Sequence, residues 1–314
     1  MRVLFTGCTF DENQIKKLES KEIYVDNGRV DFSEDELTRV LNNYDCYING
    51  GDEICTKKVI EGNKHLKLIS FMGTGYQKYI DVQTAKENSI PVSYTPSANA
   101  KSVAEYTVAL ILDAIKKISY SNAQVKLGKW EKYKVFNLEG KTLGIVGMGT
   151  VGSYVAKILC EGFGMKLLYN SLNCKPLIDK KYNTHMVSLN ELFSNSDVIS
   201  VNATCTEENK GMISLEQLNL MKDNTVLVNT ARAELIDKEA LMQINNRINC
   251  IAIDGWYEEP INKTESMLDV DNDKFIITPH NAYNSSDAIF EMERMLVESL
   301  EDAKNNKEIR NTIK

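Results

Sequence analysis

The sequence predicts an α/β protein of two doubly wound parallel-sheet domains, the second inserted into the first. Short apolar strand candidates alternate with helical segments over the first hundred residues, and the same alternation restarts at Thr142. Strands that alternate with helices pair in parallel through right-handed crossovers. A chain of 314 residues is long enough for about two domains. An amphipathic helix over 287–305 follows the second run of strands, so we expect it to return to the first domain and close it.

The first domain takes its elements from the beginning of the chain. Its strand candidates are 2–5, 23–25, 46–48, 66–71 and 91–93, with helices near 11–18, 33–41 and 56–61. A longer helix is predicted over 99–117, because Ala104, Val108 and Ile111 recur at near-helical spacing. It leads into the second domain. We therefore expect one domain from 1–98 plus 284–314 and another from 99–283.

The second domain opens on a glycine-rich turn, Gly147, Gly149 and Gly152, between a strand candidate at 142–146 and a helical segment from 153. At this spacing the first glycine makes a tight turn, the second lets the backbone approach a pyrophosphate, and the third lets helix and strand pack closely. Phosphate then lies at the helix N-terminus, which favours negative charge. The pattern predicts a Rossmann dinucleotide-binding domain, with an ordinary glycine-rich turn as the alternative. The strand candidates are 143–146, 166–169, 185–187, 198–201, 225–229, 250–253 and 275–277.

Composition and charge exclude several classes of partner. The chain is 43% hydrophobic and 26% charged, and its formal net charge is -7. Nucleic acids and anionic membranes both demand a basic surface, so neither is an expected partner. The sequence shows no targeting segment and no apolar run of membrane-spanning length. We therefore expect a cytoplasmic protein.

The cysteines and histidines predict neither disulfides nor a metal site. Seven cysteines form an odd count without a C-x-x-C pair, and the three histidines share no ligand spacing with them. This usage is typical of reduced, mostly buried thiols. A catalytic cysteine is an alternative, although no paired base stands near one in the sequence. His65 and His185 lack motif context and are interpreted as structural.

Polar side chains follow three strand candidates of the second domain. Arg232 follows the strand that ends at Asn229, Glu258 and Glu259 follow the strand that ends at Asp254, and His280 follows the strand at 275–277. Open α/β sheets bind their ligands at the carboxyl ends of the strands. A guanidinium, a carboxylate and an imidazole are therefore expected to meet there. The ordinary alternatives are a surface ion pair for the arginine and a turn residue for the histidine.

With these motifs the chain resembles the D-isomer-specific 2-hydroxyacid dehydrogenases over essentially its whole length. Six blocks in the same order carry the resemblance. They are Gly73-Thr74-Gly75 with Ile80-Asp81, Ala98-Asn99-Ala100 with Val103-Ala104-Glu105, 140–152, Asn229-Thr230-Ala231-Arg232, Asp254 with Glu259-Pro260, and Thr278-Pro279-His280. The resemblance implies a flavodoxin-like substrate (catalytic) domain that carries the Rossmann domain. It also implies a homodimer, and a small 2-keto or 2-hydroxy acid as the only other partner.

The reaction implied by the resemblance is hydride transfer from NAD(P)H to a 2-keto acid, which gives a D-2-hydroxy acid reversibly. His280 is the expected proton donor, because imidazole alone titrates near neutral pH without perturbation. A carboxylate would orient it and favour its charged form. Glu258 and Glu259 are both near, and the family pattern places the acid directly before Pro260, which selects Glu259. The expected catalytic residues are Arg232, Glu259 and His280.

The substrate is expected to be held by one side chain and one loop. A guanidinium suits bidentate binding of a planar carboxylate or polarisation of a carbonyl, so Arg232 takes this role beside His280. Gly73, Thr74 and Gly75 are expected to offer backbone N–H groups to the carboxylate, since glycines permit close approach.

The expected cofactor-binding residues surround the glycine turn and the strand ends. They are Gly147, Gly149, Thr150, Val151, Gly152, Asn170, Ser171, Ala203, Thr204, Asn209, Thr230, Ala231, Arg232 and Asp254. A helix cap is the alternative role for Asp254.

The ribose position departs from the usual NAD pattern. An NAD site normally offers an acidic residue about 20 residues past the glycine turn, and here Asn170 follows the strand instead. Without that carboxylate a 2′-phosphate is not repelled, and Ser171, Asn173 and Lys175 are potential donors to it. The cofactor is therefore NAD or NADP, with a lean to NADP. Asn202-Ala203-Thr204 similarly replaces a His-x-Pro of many family members.

Two functions of other classes stay open from the sequence. The same fold serves NAD(H)-sensing corepressor-like partner proteins. A methyltransferase uses a similar glycine turn, although it would leave the later Arg, Glu and His blocks unexplained. Turnover of 2-keto acids distinguishes the enzyme from the first, and titration with S-adenosylmethionine distinguishes it from the second.

Overall fold

The computed structural model describes residues 1–27, 32–243, 248–265, 268 and 273–313. It divides into two compact units. Unit 1 comprises Met1–Asn99 with Ser285–Lys314, and unit 2 comprises Ala100–Asn284.

Unit 1 contains a five-stranded parallel sheet. Its strands are β1 (Arg2–Thr6), β2 (Tyr24–Asn27), β3 (Cys46–Asn49), β4 (Leu68–Phe71) and β5 (Val92–Tyr94), in the order β2-β1-β3-β4-β5. The helices between them are α1 (Glu12–Glu19), α2 (Glu34–Val40), α3 (Lys57–Gly62) and α4 (Val82–Glu87). This strand order is that of a flavodoxin-like fold. β3 and β4 are buried along their whole length, as expected for central strands covered on both faces.

The C-terminal helix, Ser286–Lys304, belongs to unit 1. Its N-cap Ser285 accepts a hydrogen bond from the Ala288 N–H, which satisfies one of the free donors of the first turn. Its apolar stripe, with Leu296 and Leu300, packs in one cluster with residues of β1, β3 and β4. This burial covers one face of the sheet, where a helix is needed to exclude water from the parallel strands.

Unit 2 contains a six-stranded parallel sheet. Its strands are β6 (Thr142–Val146), β7 (Lys166–Asn170), β8 (Val198–Val201), β9 (Val226–Asn229), β10 (Cys250–Asp254) and β11 (Phe275–Thr278), in the order β11-β10-β9-β8-β6-β7. The helices are α5 (Ala100–Lys116), α6 (Ile118–Lys126), α7 (Thr150–Ala156, continued by a π-helical turn over Lys157–Gly162), α8 (Pro176–Tyr182), α9 (Leu189–Asn195), α10 (Leu215–Leu220) and α11 (Lys238–Met242). The chain goes outward from β6 to β7 and then returns to β8 on the other side. Such a switch point is where doubly wound sheets bind nucleotides.

These two parallel sheets confirm the predicted α/β fold class. The strand predicted at 185–187 differs from the structure. Residues 185–187 form only an isolated bridge, Tyr169 with Met186, because the N-cap Ser188 starts α9 directly afterwards. The helix predicted over 99–117 is present as α5. It ends where Lys117 takes a left-handed conformation, and α6 begins directly afterwards, with Asp113 accepting hydrogen bonds from the Ser119 N–H and hydroxyl.

Candidate active site

The glycine turn lies at the carboxyl end of β6, and its three glycines differ in how much room there is for a Cβ. Gly147 has φ +96°, and a Cβ there would lie 2.4 Å from the Ala203 nitrogen. A Cβ at Gly152 would lie 2.5 Å from the Gly147 carbonyl oxygen, so only glycine lets α7 pack this closely. At Gly149 a Cβ would meet nothing within 4 Å, and both it and Thr150 are exposed. The turn therefore leaves the N-terminus of α7 open to an anion, and these residues fit a dinucleotide pyrophosphate.

The residues opposite the turn hold one another through short hydrogen bonds. Asn209 accepts from the Thr206 N–H at 2.7 Å and donates to the Thr204 carbonyl oxygen at 2.8 Å. Its side chain thus shapes the loop after β8, and a contact of Asn209 with the cofactor stays a prediction. The buried hydroxyl of Thr230 shares a 2.6 Å hydrogen bond with that of Thr107 in α5, which fixes the start of the loop after β9.

Asn170 ends β7, in the position where an NAD site normally has an acidic residue. Its Nδ2 donates to the Val187 carbonyl oxygen at 2.9 Å, so its Oδ1 is the atom that faces away from that bond. The following loop is anchored by Tyr169, whose hydroxyl accepts from the Lys175 N–H and donates to Asp179. The side chain at position 170 is therefore an uncharged amide, and Ser171 follows it in the sequence.

His280 and Glu259 form a close pair at the ends of β11 and β10. The two carboxylate oxygens lie 3.1 and 3.0 Å from Nδ1 of the imidazole. Oε1 of Glu259 also accepts from the Trp256 N–H at 3.0 Å. Burial raises the pKa of Glu259, but the hydrogen bonds from His280 and Trp256 and the charge of Arg232 outweigh it, so the pKa lies below its ordinary value. Glu259 is therefore ionised at neutral pH.

Arg232 approaches the other ring nitrogen of the same imidazole. Its Nη1 donates to the Ala231 carbonyl oxygen at 2.9 Å and lies 3.1 Å from Nε2 of His280. A guanidinium has donors only, so Nε2 accepts in this contact. The hydrogen of the ring is then on Nδ1 and is donated to Glu259. The three predicted catalytic residues thus form one continuous chain of hydrogen bonds.

Two buried polar residues hold the loops that carry the three predicted catalytic residues. The first of them, Asn229, was not predicted from the sequence as a site residue. Asn229 donates to the Arg232 carbonyl oxygen at 2.8 Å and accepts from the Ala231 N–H at 3.0 Å. Asn229 thereby closes the loop after β9 on itself. An Asn at a strand end is the signal that could have identified it, because its amide competes for backbone partners in turns.

Asp254 is the second of these residues, and it lies beneath the histidine loop. It is 3% exposed. It accepts from the Thr278 hydroxyl at 2.6 Å, the Asn281 N–H at 2.9 Å and the Ala282 N–H at 2.8 Å. These bonds fix the backbone on both sides of His280, whose φ of +52° is left-handed. Both oxygens are thus occupied by the loop, and a cofactor contact of Asp254 stays a prediction.

The loop Gly73-Thr74-Gly75 follows β4 in unit 1. Gly73 has φ +150°, its carbonyl oxygen accepts from the Thr95 N–H at 3.1 Å, and a Cβ there would meet the Phe71 ring at 2.9 Å. Among the residues that the structure describes, the N–H groups of Thr74 and Gly75 donate to no backbone carbonyl oxygen. Such free donors suit an anionic ligand.

The described residues contain no cluster with metal-binding geometry, no disulfide and no helix able to span a membrane. In the described part of the chain, no group of three or more His, Cys, Asp or Glu side chains has the geometry to hold a metal ion. The seven cysteines are all free thiols. Within 1–27, 32–243, 248–265, 268 and 273–313, none of the helices has the length and apolar character needed to cross a membrane.

A family comparison covers most of unit 2. The sequence model described as "D-isomer specific 2-hydroxyacid dehydrogenase, NAD binding domain" matches residues 108–282. The chain belongs to the D-isomer-specific 2-hydroxyacid dehydrogenases. The predicted family is thus confirmed, and with it an NAD(P)-dependent oxidoreductase.

Individual relatives agree with this family. Hydroxypyruvate reductase of Thermotoga maritima is 36% identical over 261 residues, which cover 81% of this chain and 83% of that protein. Glyoxylate reductase of Aeropyrum pernix is 33% identical over 246 residues, 75% of this chain and 72% of that protein. D-3-phosphoglycerate dehydrogenase of Archaeoglobus fulgidus is 31% identical over 300 residues, 93% of this chain, but the match spans only 55% of that longer protein.

Solved structures share the whole fold. The TT0316 protein from Thermus thermophilus superposes with a TM-score of 0.90 at 28% identity, and the match covers all of both chains. An acyclic imino acid reductase (Bsp5), solved with NADPH and D-Arg, gives a TM-score of 0.87 at 27% identity, again over all of both chains.

Proposed function

We propose that the protein reduces a small 2-keto acid to the D-2-hydroxy acid, reversibly, with His280 as the proton donor. The observation that carries this proposal is the chain Glu259–His280–Arg232, in which the two nitrogens of one imidazole are held by partners of opposite charge. An acid catalyst must present one fixed nitrogen to the reacting oxygen. Because Nδ1 is held by Glu259, Nε2 is the nitrogen proposed for this role, and it gives up its contact with Arg232 when it carries the proton.

The proton follows a short path. When the carbonyl carbon is reduced, its oxygen develops negative charge and takes the proton from Nε2 of the imidazolium. The ring then returns to the neutral form, with its remaining hydrogen on Nδ1. Glu259 orients the ring and stabilises its charged form, because the carboxylate is itself ionised.

Arg232 and the glycine loop of unit 1 are proposed to bind the substrate. Besides its contact with His280, the Arg232 side chain donates to the Ala231 carbonyl oxygen through the same Nη1. The guanidinium can therefore offer its other N–H groups to the substrate carboxylate or carbonyl. The N–H groups of Thr74 and Gly75 are proposed to bind a substrate carboxylate.

A reduced nicotinamide supplies the hydride when its dinucleotide is bound. The residues proposed to hold the dinucleotide are Gly147, Gly149, Thr150, Val151, Gly152, Ala203, Thr204, Asn209, Thr230, Ala231, Arg232 and Asp254. Asn170 and Ser171 would face the ribose. The neutral amide of Asn170 supports the lean to NADP, since it carries no charge to repel a 2′-phosphate.

The test is steady-state oxidation of NADPH and NADH against a panel of 2-keto acids of increasing side-chain size. We expect turnover with at least one acid and a lower KM for NADPH than for NADH. Tight dinucleotide binding without turnover of any acid would instead support the corepressor-like alternative, in which the same fold reports NAD(H) to a partner.

We also propose that the protein is a homodimer. Large apolar side chains are exposed in α6 and the segment after it, among them Leu127 and Trp130, the latter 85% exposed. An apolar surface of this kind marks an interface, and a twofold pair buries the same surface on both copies. Sedimentation equilibrium should give twice the chain mass, and L127K with W130K should shift it to one chain mass. A monomer before substitution would refute the proposal.

A further inference from the structure

The loop between β10 and residue 265 presents Glu259 to His280, and few contacts set its direction. Glu259 lies over the backbone of Gly255, which has φ +94° and where a Cβ would fall 2.4 Å from Oε1. The side chain is 40% exposed. Besides its contacts with the imidazole, it accepts from the Trp256 N–H. The position of residue 256 therefore decides where the carboxylate points.

Trp256 has a second polar contact, on the far side of its side chain. The indole Nε1–H donates to Oε2 of Glu265 at 3.1 Å. The ring is 5% exposed and packs edge-on against Tyr257 and Phe275. Packing holds the plane of the ring, while the hydrogen bond fixes which edge faces Glu265, because a buried indole N–H needs an acceptor.

Glu265 is in turn held by a cation. Nζ of Lys238, the first residue of α11, lies 2.7 Å from the same Oε2. Lys238 also stands over the rings of Trp256 and Tyr257, at 5.9 and 5.6 Å from their centroids. The side chain of Glu265 is 13% exposed. The ion pair thus ties the loop after β10 to the helix after β9, and Trp256 is the link between this tie and Glu259.

We propose that Trp256 is a positioning residue for the reaction, anchored by Glu265 and Lys238 so that its backbone N–H holds Glu259 against His280. The inference rests on the proposed function, in which Glu259 orients the proton donor. It assigns to Trp256 a part in proton transfer that its burial in the core alone would not require. The groups that face the carboxylate in this arrangement are His280 and Arg232.

The experiment compares Trp256→Phe with Thr225→Val in the full-length protein. The first removes the indole N–H and keeps an aromatic ring. The second removes a comparable buried donor, since the Thr225 hydroxyl donates to the Lys222 carbonyl oxygen at 2.9 Å. Thr225 lies at the amino end of β9, whereas the site lies at the carboxyl ends of the strands. Measured quantities are kcat and KM for keto-acid reduction from pH 5 to 10, the dinucleotide Kd by fluorescence titration, and the midpoint of thermal unfolding.

We expect W256F to lower kcat on the order of tenfold, less than a full misplacement of the donor would cost, because the backbone N–H remains. The dinucleotide Kd should stay within twofold. The pH at which activity falls to half on the alkaline side should move downwards, and E259Q should shift it in the same direction. In an E259Q background the effect of W256F on kcat should disappear, because both changes act on one carboxylate.

Equal effects of W256F in the presence and absence of Glu259, or a kcat no lower than that of T225V, would overturn the inference. If W256F does not fold, Glu265→Gln and Lys238→Met are measured in the same way. These two substitutions weaken the Glu265–Lys238 pair that anchors Trp256 but keep its ring. A kcat unchanged in both variants would also overturn the inference. If E259Q itself has normal activity and an unchanged pH profile, the proposed role of Glu259 fails first.

Discussion

Replacing Asp254 with Asn tests how the histidine loop is held. The carboxylate accepts three hydrogen bonds, two of them from the successive N–H groups of Asn281 and Ala282. An asparagine keeps one acceptor oxygen and turns the other into an NH2 donor. At least one backbone N–H then faces a donor in a site that is 3% exposed.

The magnitude follows from this count. Loss of one buried hydrogen bond to a charged group costs about 1.5–3 kcal/mol. For a unit of this size, each kcal/mol corresponds to about 2–4 °C in the unfolding midpoint. We therefore expect D254N to lower the midpoint by about 3–12 °C. A displaced loop would also carry His280 away from Arg232 and Glu259, so kcat should fall by about 10²-fold, the usual cost of a misplacement near 1 Å.

Calorimetry and single-turnover keto-acid reduction measure the two effects together. Asp11→Asn is the matched control, because Asp11 accepts one backbone N–H as the N-cap of α1 and Asn caps a helix equally well. The reasoning is refuted if D254N keeps the unfolding midpoint of D11N while its dinucleotide Kd rises. That result would identify Asp254 as a cofactor contact instead of a support for the loop.

The remaining predictions concern the proton donor, its carboxylate and the ribose position. His280→Asn should reduce keto-acid reduction by about 10²–10⁴-fold, the range for loss of a general acid, with an unchanged dinucleotide Kd by fluorescence titration; comparable kcat would refute the donor role. Because the folded-state pKa of Glu259 lies below its ordinary value, its pairing with His280 stabilises the fold fully above about pH 4.3, the unfolded value, and this contribution is lost as the pH falls through the folded-state pKa. The difference in unfolding free energy between the original protein and E259Q should therefore shrink below that pH, and a constant difference would contradict the ion pair. Asn170→Asp should raise the ratio of kcat/KM with NADH to that with NADPH, and an unchanged ratio would mean that the ribose is recognised elsewhere.

The part of the fold that could be predicted depends on local, repeated signals. Apolar strands with glycine or polar residues at their ends report directly on a parallel sheet, so β6, its glycine turn and α7 could be located from the sequence. The strand predicted at 185–187 failed for a reason that periodicity does not contain. The N-cap Ser188 starts a helix before a second ladder contact forms.

The sequence could identify candidate site residues by the chemistry of their side-chain groups. It could not identify the residues that hold the loops through hydrogen bonds with backbone atoms. A guanidinium, a carboxylate and an imidazole at three strand ends suggest a reaction by their chemistry alone. Asn229 and Trp256 act by accepting from or donating to loop atoms, and the partner of such a bond is fixed only once the chain is folded. The left-handed φ of His280 belongs to the same class, since its cause is Asp254 on another strand.

The hydrogen bond that Arg232 donates to His280 bears on the direction of the proposed reaction. With Nε2 acting as an acceptor, the imidazole in this arrangement is a base, ready to receive the hydroxyl proton of a 2-hydroxy acid. In the proposed reduction of a keto acid, the same nitrogen must first take up a proton, which would end its acceptance from the guanidinium. In the proposed reaction, uptake of one solvent proton and loss of the contact between Arg232 and Nε2 would then be a single event. Alkaline solution would thus favour oxidation by mass action on the released proton.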